Sequence, residues 1–259
     1  MNVPFITVIT DYAWPTVLWY DHRTDRCLVP TPPAYDRGLT LGLSAEQLSL
    51  TGAPVHPKFS RVGLSKEQAK TKLEWDTTIP AVMLIGGGDG MGPLVETAIA
   101  IDAIRDANNL RFQLVVIAGR NETLREKLNA VEWHGLTRVY GFVTDMEVFM
   151  TASDALVTKA GPGTITEAAT VGLPLILSGA IRFQESPNTE YVVQRGAGVY
   201  VPGPKKVAET VARLFGRDRT QLRALAQGVR GLATPDAIWQ IADEIHASTA
   251  RLNRQPKAK

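Results

Sequence analysis

The chain has one cysteine, Cys27, among 259 residues. An internal disulfide is thereby excluded, and the lone thiol reads as a small core residue in a protein suited to a reducing compartment. No apolar run reaches the about 18 residues that a membrane-spanning helix needs. Residues 1–20 show neither the basic start nor the small-residue cleavage site of a secretory signal. Charge of one sign is not in excess: the formal net charge is +2, and basic residues are scattered apart from the tail 251–259. Nothing in that balance invokes nucleic acid. The tail is either a solvated end or a weak attraction to anionic headgroups. Metal-ligand patterns are absent as well. The four histidines, His22, His56, His134 and His246, stand apart, and no Asp-x-Asp pair occurs, so neither a metal nor a bound cofactor is expected. These absences predict a cytoplasmic protein, peripheral at most at a membrane surface.

What the chain does have is ordinary globular composition, with 44% hydrophobic residues, and 22 glycines, many of them clustered. An apolar strand is expected over residues 4–10 and a second over 26–30, with a short helix over 41–50 near Ser44. Two prolines and a glycine in 51–59 suit a domain exit, and 60–79 predicts one linker helix. From Pro80 the pattern becomes regular. Strands are expected at 81–85, 112–118, 138–141, 155–158, 173–177 and 198–201. Helices are expected at 93–107, 122–131, 145–151, 164–171, 185–195 and 205–215, with two more at 220–229 and 235–251. Short apolar strands alternating with amphipathic helices mean βαβ units and a parallel sheet.

In such sheets ligands bind beyond the carboxyl ends of the strands. The first regular strand is followed by GGGDGMGP, residues 86–93. Its glycines, Gly88, Gly90 and Gly92 among them, allow close backbone approach to a ligand or simply tight strand–helix packing. It does not fit G-x-G-x-x-G and holds no Gly-Lys-Ser/Thr. The fourth is followed by Lys159, Ala160, Gly161, Pro162, Gly163 and Thr164, leading into a helix whose free N–H groups attract a diphosphate. Lys159 adds a charge-assisted contact. Glu167 has two readings: partner of Thr164 in a capping box, or acceptor for ribose hydroxyls. After the fifth strand come Arg182, Phe183, Gln184, Glu185 and Asn188, whose amide and carboxyl groups pair with sugar hydroxyls or merely start a helix. A dinucleotide oxidoreductase, with Arg120 at the second strand end, leaves the 159–164 loop unexplained.

Taken in order, GGGDGMGP (86–93), AGRN (118–121), GFV (141–143), TKAGPGTITEA (158–168), GLPLIL (172–177), QESPN (184–188) and TPDA (234–237) resemble the monogalactosyldiacylglycerol synthases. The related processive diacylglycerol glucosyltransferases and MurG-type N-acetylglucosaminyltransferases share the pattern. TDYAWPTVLWYDHRTDRCLVPT (10–31) and GAPVHPKF (52–59) are similar to the later part of that family's N-terminal domain.

The resemblance implies an α/β, GT-B-type glycosyltransferase. Residues 1–57 would be a remnant of the acceptor-side domain, 58–80 a linker, and 81–233 a Rossmann-like UDP-sugar-binding domain. A C-terminal helix in 234–259 would cross back toward the N-terminal domain. Carried over by position, Phe142 and Val143 flank the uracil with Gly119 and Arg120 nearby. Lys159 to Thr164 hold the diphosphate, Glu167 the ribose, and Gln184 and Glu185 the hexose with Asn188 close by. The implied reaction is inverting transfer of galactose or glucose from a UDP-hexose to diacylglycerol. The family's base histidine has no counterpart, which implies an N-terminally shortened form and leaves Asp11 as a candidate. Where the family places a histidine about five residues after that aspartate, this chain has Thr16, with His22 further along. The alternative is a UDP-sugar-binding protein, catalytically incomplete and either vestigial or needing a partner chain or homo-oligomer to cover the apolar strand at 5–9.

Overall fold

The computed structural model of the chain describes residues 3–86 and 93–254, with side chains through 249. Two compact units emerge: Met1–Pro57 together with Thr234–Lys259, and Lys58–Ala233. In chain order the first unit contributes β1 (Ile6–Val8), β2 (Arg26–Val29), α1 (Pro32–Thr40) and β3 (Leu48–Leu50). The second holds α2 (Lys66–Lys72), β4 (Ala81–Ile85), α3 (Leu94–Ala107), β5 (Gln113–Ile117), α4 (Glu122–Asn129), β6 (Thr137–Tyr140) and α5 (Met146–Ala152). It continues through β7 (Ala155–Lys159), α6 (Pro162–Val171), β8 (Leu175–Gly179), α7 (Ser186–Gln194), β9 (Gly198–Tyr200), α8 (Pro204–Leu214) and α9 (Thr220–Arg230). The last helix, α10 (Ala237–Arg254), belongs to the first unit.

In the first unit β1, β2 and β3 pair in that order, all parallel. Arg26 on β2 ties α10 to this sheet through an ion pair of 2.8 Å with Glu244, which also accepts from the Ser49 hydroxyl of β3 at 3.0 Å. One expectation needs correction here. The helix anticipated over 41–50 is instead α1 at Pro32–Thr40, and 48–50 is a strand. Two prolines in the first turn and the Thr31 hydroxyl, which accepts from Ala34 N, start the helix earlier. Ser44 lies in the following turn, its N–H donating to Gln47 Oε1.

The second unit is a six-stranded parallel sheet in the order β6-β5-β4-β7-β8-β9. β4 reads AVMLI and is buried along its whole length, the pattern of a central strand covered on both faces. Alternate residues Val82, Leu84, Leu114, Val116, Val157 and Ile176 meet Ile101 of α3 and Val207, Val211 and Leu214 of α8 in one core. Met83, Val115 and Leu156, one step out of phase, are equally buried and point to the opposite layer. Residues 58–80, anticipated as a linker, fold into this unit. A Ser65–Gln68 capping box starts α2, and Phe59 and Trp75 are buried. Among the described residues no helix is long and apolar enough to cross a membrane.

At the amino end of this sheet Asp102 and Arg105 of α3 are both buried and form an ion pair. Arg105 also donates to the carbonyls of Phe112 and Leu136, and Asp102 accepts from the backbone and ring of His134. Asp102→Ala leaves the Arg105 charge buried without its counter-ion and is expected to cost about 3–5 kcal/mol. Glu122→Ala removes the exposed pair with Arg125 and is expected to cost less than about 1 kcal/mol; urea denaturation of both variants measures the difference. The bond to Asp102 holds the His134 ring above its ordinary value of 6.5. A raised pKa stabilises the fold fully below pH 6.5, and that contribution is lost as pH rises through the higher folded value. Melting temperatures of the wild type and His134→Ala should therefore separate in mild acid and converge as pH rises past the raised folded value.

Candidate functional site

The chain leaves β4 toward β5 on one side, while β7 adds on the other. Connections of opposite sense open a crevice beyond the carboxyl ends of β4 and β7, the usual ligand position in such sheets. A pocket of about 240 Å³ lies there, lined among others by Gly86, Pro93, Thr97, Lys159, Gly179 and Ile181. Gly88, Gly90 and Gly92, expected to touch a donor from the same loop, lie outside the described residues.

A register shift between Thr158 and Lys159 against β8 bends the strand end as the chain enters the site. Ala160 N donates to Gly179 O across that break. Gly161 then caps α6, with Pro162 in its first turn and no side chain accepting from the helix start. The first N–H groups of α6 are thus free of a side-chain cap and carry the positive end of the helix dipole. A Cβ placed on Gly163 would meet nothing within 4 Å among the described residues.

This helix start overturns one of the two readings of Glu167. Thr164 is the third residue of α6, not its cap, because Pro162 fixes φ and begins the helix earlier. Glu167 therefore belongs to no capping box. Its carboxyl is pushed up to about 7, first by burial, with Lys58 lowering it and Glu147 raising it.

Lys159, Glu185 and Asn188 come together, but chiefly with one another. Lys159 Nζ pairs with Glu185 Oε1 at 2.5 Å, and Glu185 Oε2 accepts from Ile181 N at 2.9 Å. Glu185 is only 3% exposed. Asn188, also buried, donates from Nδ2 to the Ala160 carbonyl at 3.0 Å. Both side chains brace the 159–161 turn, whereas Gln184 stands exposed at the loop surface. A Cβ on Gly161 would lie 3.3 Å from Lys159 Nζ, so the glycine makes room for the pair. Phe183, in the same loop, holds a left-handed φ of 67°, a strained conformation for an aromatic residue.

At the ends of β5 and β6, Gly119 adopts φ of 66° and the Arg120 guanidinium stacks 4.4 Å from the Phe142 ring. Phe142 is 58% exposed and Val143 half-buried. Trp75 supports this edge from below, donating to the Tyr140 hydroxyl at 2.8 Å and meeting Phe149 edge-on. Sequence reasoning missed Lys58 and Glu147, which flank Glu167. Lys58 lies within the GAPVHPKF stretch, but nothing in that stretch pairs it with Glu147, which stands 89 positions away.

In the first unit Asp11 accepts from Trp19 Nε1 at 2.9 Å. Trp14, Val17, Leu18 and Trp19 are exposed around this turn, with the Arg37 guanidinium 4.0 Å over the Trp14 ring. Among the described residues no cluster of three or more His, Cys, Asp or Glu is placed to hold a metal ion.

Residues 81–226 match the family described as glycosyltransferase family 28 C-terminal domain, and residues 1–55 match monogalactosyldiacylglycerol (MGDG) synthase. The chain is 42% identical to a probable monogalactosyldiacylglycerol synthase 2, chloroplastic, of Oryza sativa subsp. indica, over 98% of this chain and 54% of that protein. It is 41% identical to monogalactosyldiacylglycerol synthase 3, chloroplastic, of Arabidopsis thaliana, over 98% of this chain and 56% of that one. The chain thus spans about half the length of the curated relatives it matches. Among solved structures it is similar to S. aureus MnaA bound to UDP, with a TM-score of 0.70 at 15% identity over 91% of this chain and 64% of that one. MurG of Acinetobacter baumannii gives 0.66 at 15%, over 95% and 67%. Likeness at that identity speaks for the fold alone, an α/β fold of GT-B type. With the family model covering more than half its length, the chain belongs to the glycosyltransferase family 28 C-terminal-domain family.

Proposed function

We propose that the chain transfers a hexose, galactose or glucose, from a UDP-sugar to diacylglycerol with inversion, working peripherally at a membrane surface. The observation that carries the donor half is the carboxyl edge of β7, where Lys159 lines the pocket and its Nζ lies beside Gly161, the cap of α6 with no side chain accepting from the helix start. A leaving diphosphate there meets backbone N–H dipoles and one ammonium group, electrostatic stabilisation aimed at the charge that develops. Phe142 offers an exposed ring to a base and Glu167 a carboxyl to ribose hydroxyls. Gln184 is the exposed amide available to the hexose, while Glu185 acts by holding Lys159. The similarity to monogalactosyldiacylglycerol synthases supports diacylglycerol as acceptor. The exposed Trp14, Val17, Leu18 and Trp19 suit a lipid surface. The base is left unassigned: Asp11 is a carboxylate already held by Trp19.

A second reading is a UDP-sugar-binding protein completed by another chain. It is favoured by Val3, Phe5 and Val8, apolar and exposed on and beside β1 at the edge of its sheet. Release of UDP coupled to glycolipid formation by the purified chain, with diacylglycerol in vesicles, decides for the first reading; binding without turnover decides for the second.

Calorimetric titration with UDP, with NADPH as control, tests the donor site common to both. Saturable UDP binding is expected in the wild type. Gly163→Trp places a bulky ring in the first turn of α6 and should abolish it, with the melting temperature of the variant checking that the fold is kept. Binding of NADPH in place of UDP would defeat both readings. Lys159→Ala is expected to weaken UDP by about 1.5–3 kcal/mol, the range for a hydrogen bond to a charged group.

A further inference from the structure

Among the described residues the cation that acts on Glu167 is Lys58, the first residue of the second unit. Lys58 Nζ lies 2.8 Å from Glu147 Oε2, in the first turn of α5, and donates to the Thr144 carbonyl at 2.8 Å. Thr144 ends the loop that carries Phe142 and Val143 beyond β6. Two carboxyl groups therefore face one ammonium: Glu147 in direct contact, Glu167 close enough that both Lys58 and Glu147 act on its charge. No other charged side chain lies on α6. On α9, Arg230 packs against Gly172 at the opposite end of the helix, and Lys159 beside Gly161 is taken by Glu185.

We propose that Lys58 is a positioning residue of the nucleoside subsite, bridging Glu147 and the Thr144 carbonyl to hold the 141–144 loop and supplying the shared counter-charge for Glu167. This rests on the reading of the β4–β7 crevice as a UDP-sugar site. Lys58 touches no reacting atom. It acts through the loop and through the carboxyl that receives the ribose hydroxyls.

The stoichiometry of one cation to two acids has a consequence. Glu147 takes the short contact, so burial dominates at Glu167 and its carboxyl titrates near neutrality. The ionised form is the better acceptor for two hydroxyls. Its fraction rises from about a tenth at pH 6 to about nine-tenths at pH 8 for a group titrating at about 7. Affinity for the nucleotide should rise about tenfold over that interval if only the carboxylate binds.

The test is calorimetric titration with UDP-glucose, whose phosphate groups do not titrate in this range, from pH 6 to 8.5. In the wild type, binding tightens as pH rises, and in Glu167→Gln the profile is flat. Lys58→Met removes the positive charge, moves the midpoint upward and weakens binding at pH 7 severalfold, while Lys58→Arg restores both. Glu147→Gln removes a repelling charge and moves the midpoint downward. A merely structural Lys58 would change affinity without these opposed shifts. If the wild type binds UDP-glucose and Lys58→Met keeps its affinity and midpoint, this proposal is overturned and the donor reading stands. Absence of binding by the folded wild type at every pH overturns both. Should Lys58→Met melt early, the opposed shift in Glu147→Gln and the behaviour of Lys58→Arg still decide.

Discussion

The parallel pairing of β4 with β5 on one side and β7 on the other is the constraint from which the rest of the second unit follows. A strand in that position must be apolar on both faces, and AVMLI is. It must also be reached by right-handed crossovers, which place helices on both faces. Every strand then ends on the same edge of the sheet. Loops that are distant in sequence, after β5, β6, β7 and β8, are delivered to one crevice with no interaction among them needed to bring them there.

The polar chemistry of that edge is arranged in small closed groups. Glu185 is buried with both oxygens occupied, one by Lys159 and one by Ile181 N–H. A buried carboxylate in that state is a brace. Its charge fixes the ammonium beside the start of α6, and Asn188 fixes the turn by its bond to Ala160. Arg120 and Phe142 form a second group, and Lys58, Glu147 and Glu167 a third. In the third the charges do not balance, and that imbalance makes it sensitive to pH.

The opposite edge carries the ionic structure of the unit. Asp102, Arg105 and His134 are joined there to the carbonyls that start β5 and β6. Charge at the amino edge serves the fold, while Lys159 at the carboxyl edge lines the pocket. This division follows from the direction of the strands, because helix N-termini with unpaired N–H groups gather only at the carboxyl edge.

Much of the second unit was legible in the sequence. Continuous apolar strands such as 81–85 and amphipathic stretches such as 205–215 specify their own elements, because burial on one face or two leaves a period in the chain. The loop after β7 was legible for the same local reason, since Gly-Pro-Gly before a helical pattern signals an uncapped start. Helix α1 was missed: Pro32 and Pro33 occupy its first turn, where proline begins a helix, and the expected helix was placed at 41–50 instead. The capping-box reading of Thr164 and Glu167 failed because the cap is Gly161, three residues earlier, with Pro162 opening the helix. Only the tertiary structure could assign Lys159 to Glu185, Asn188 to Ala160 and Lys58 to Glu147. These partners stand 26, 28 and 89 positions apart, so no local period relates them. Composition and local pattern decided which elements form and where ligand-binding loops fall, because those depend on neighbours in the chain. Which charge meets which was decided by the register of the sheet, because electrostatic contact depends on distance in space.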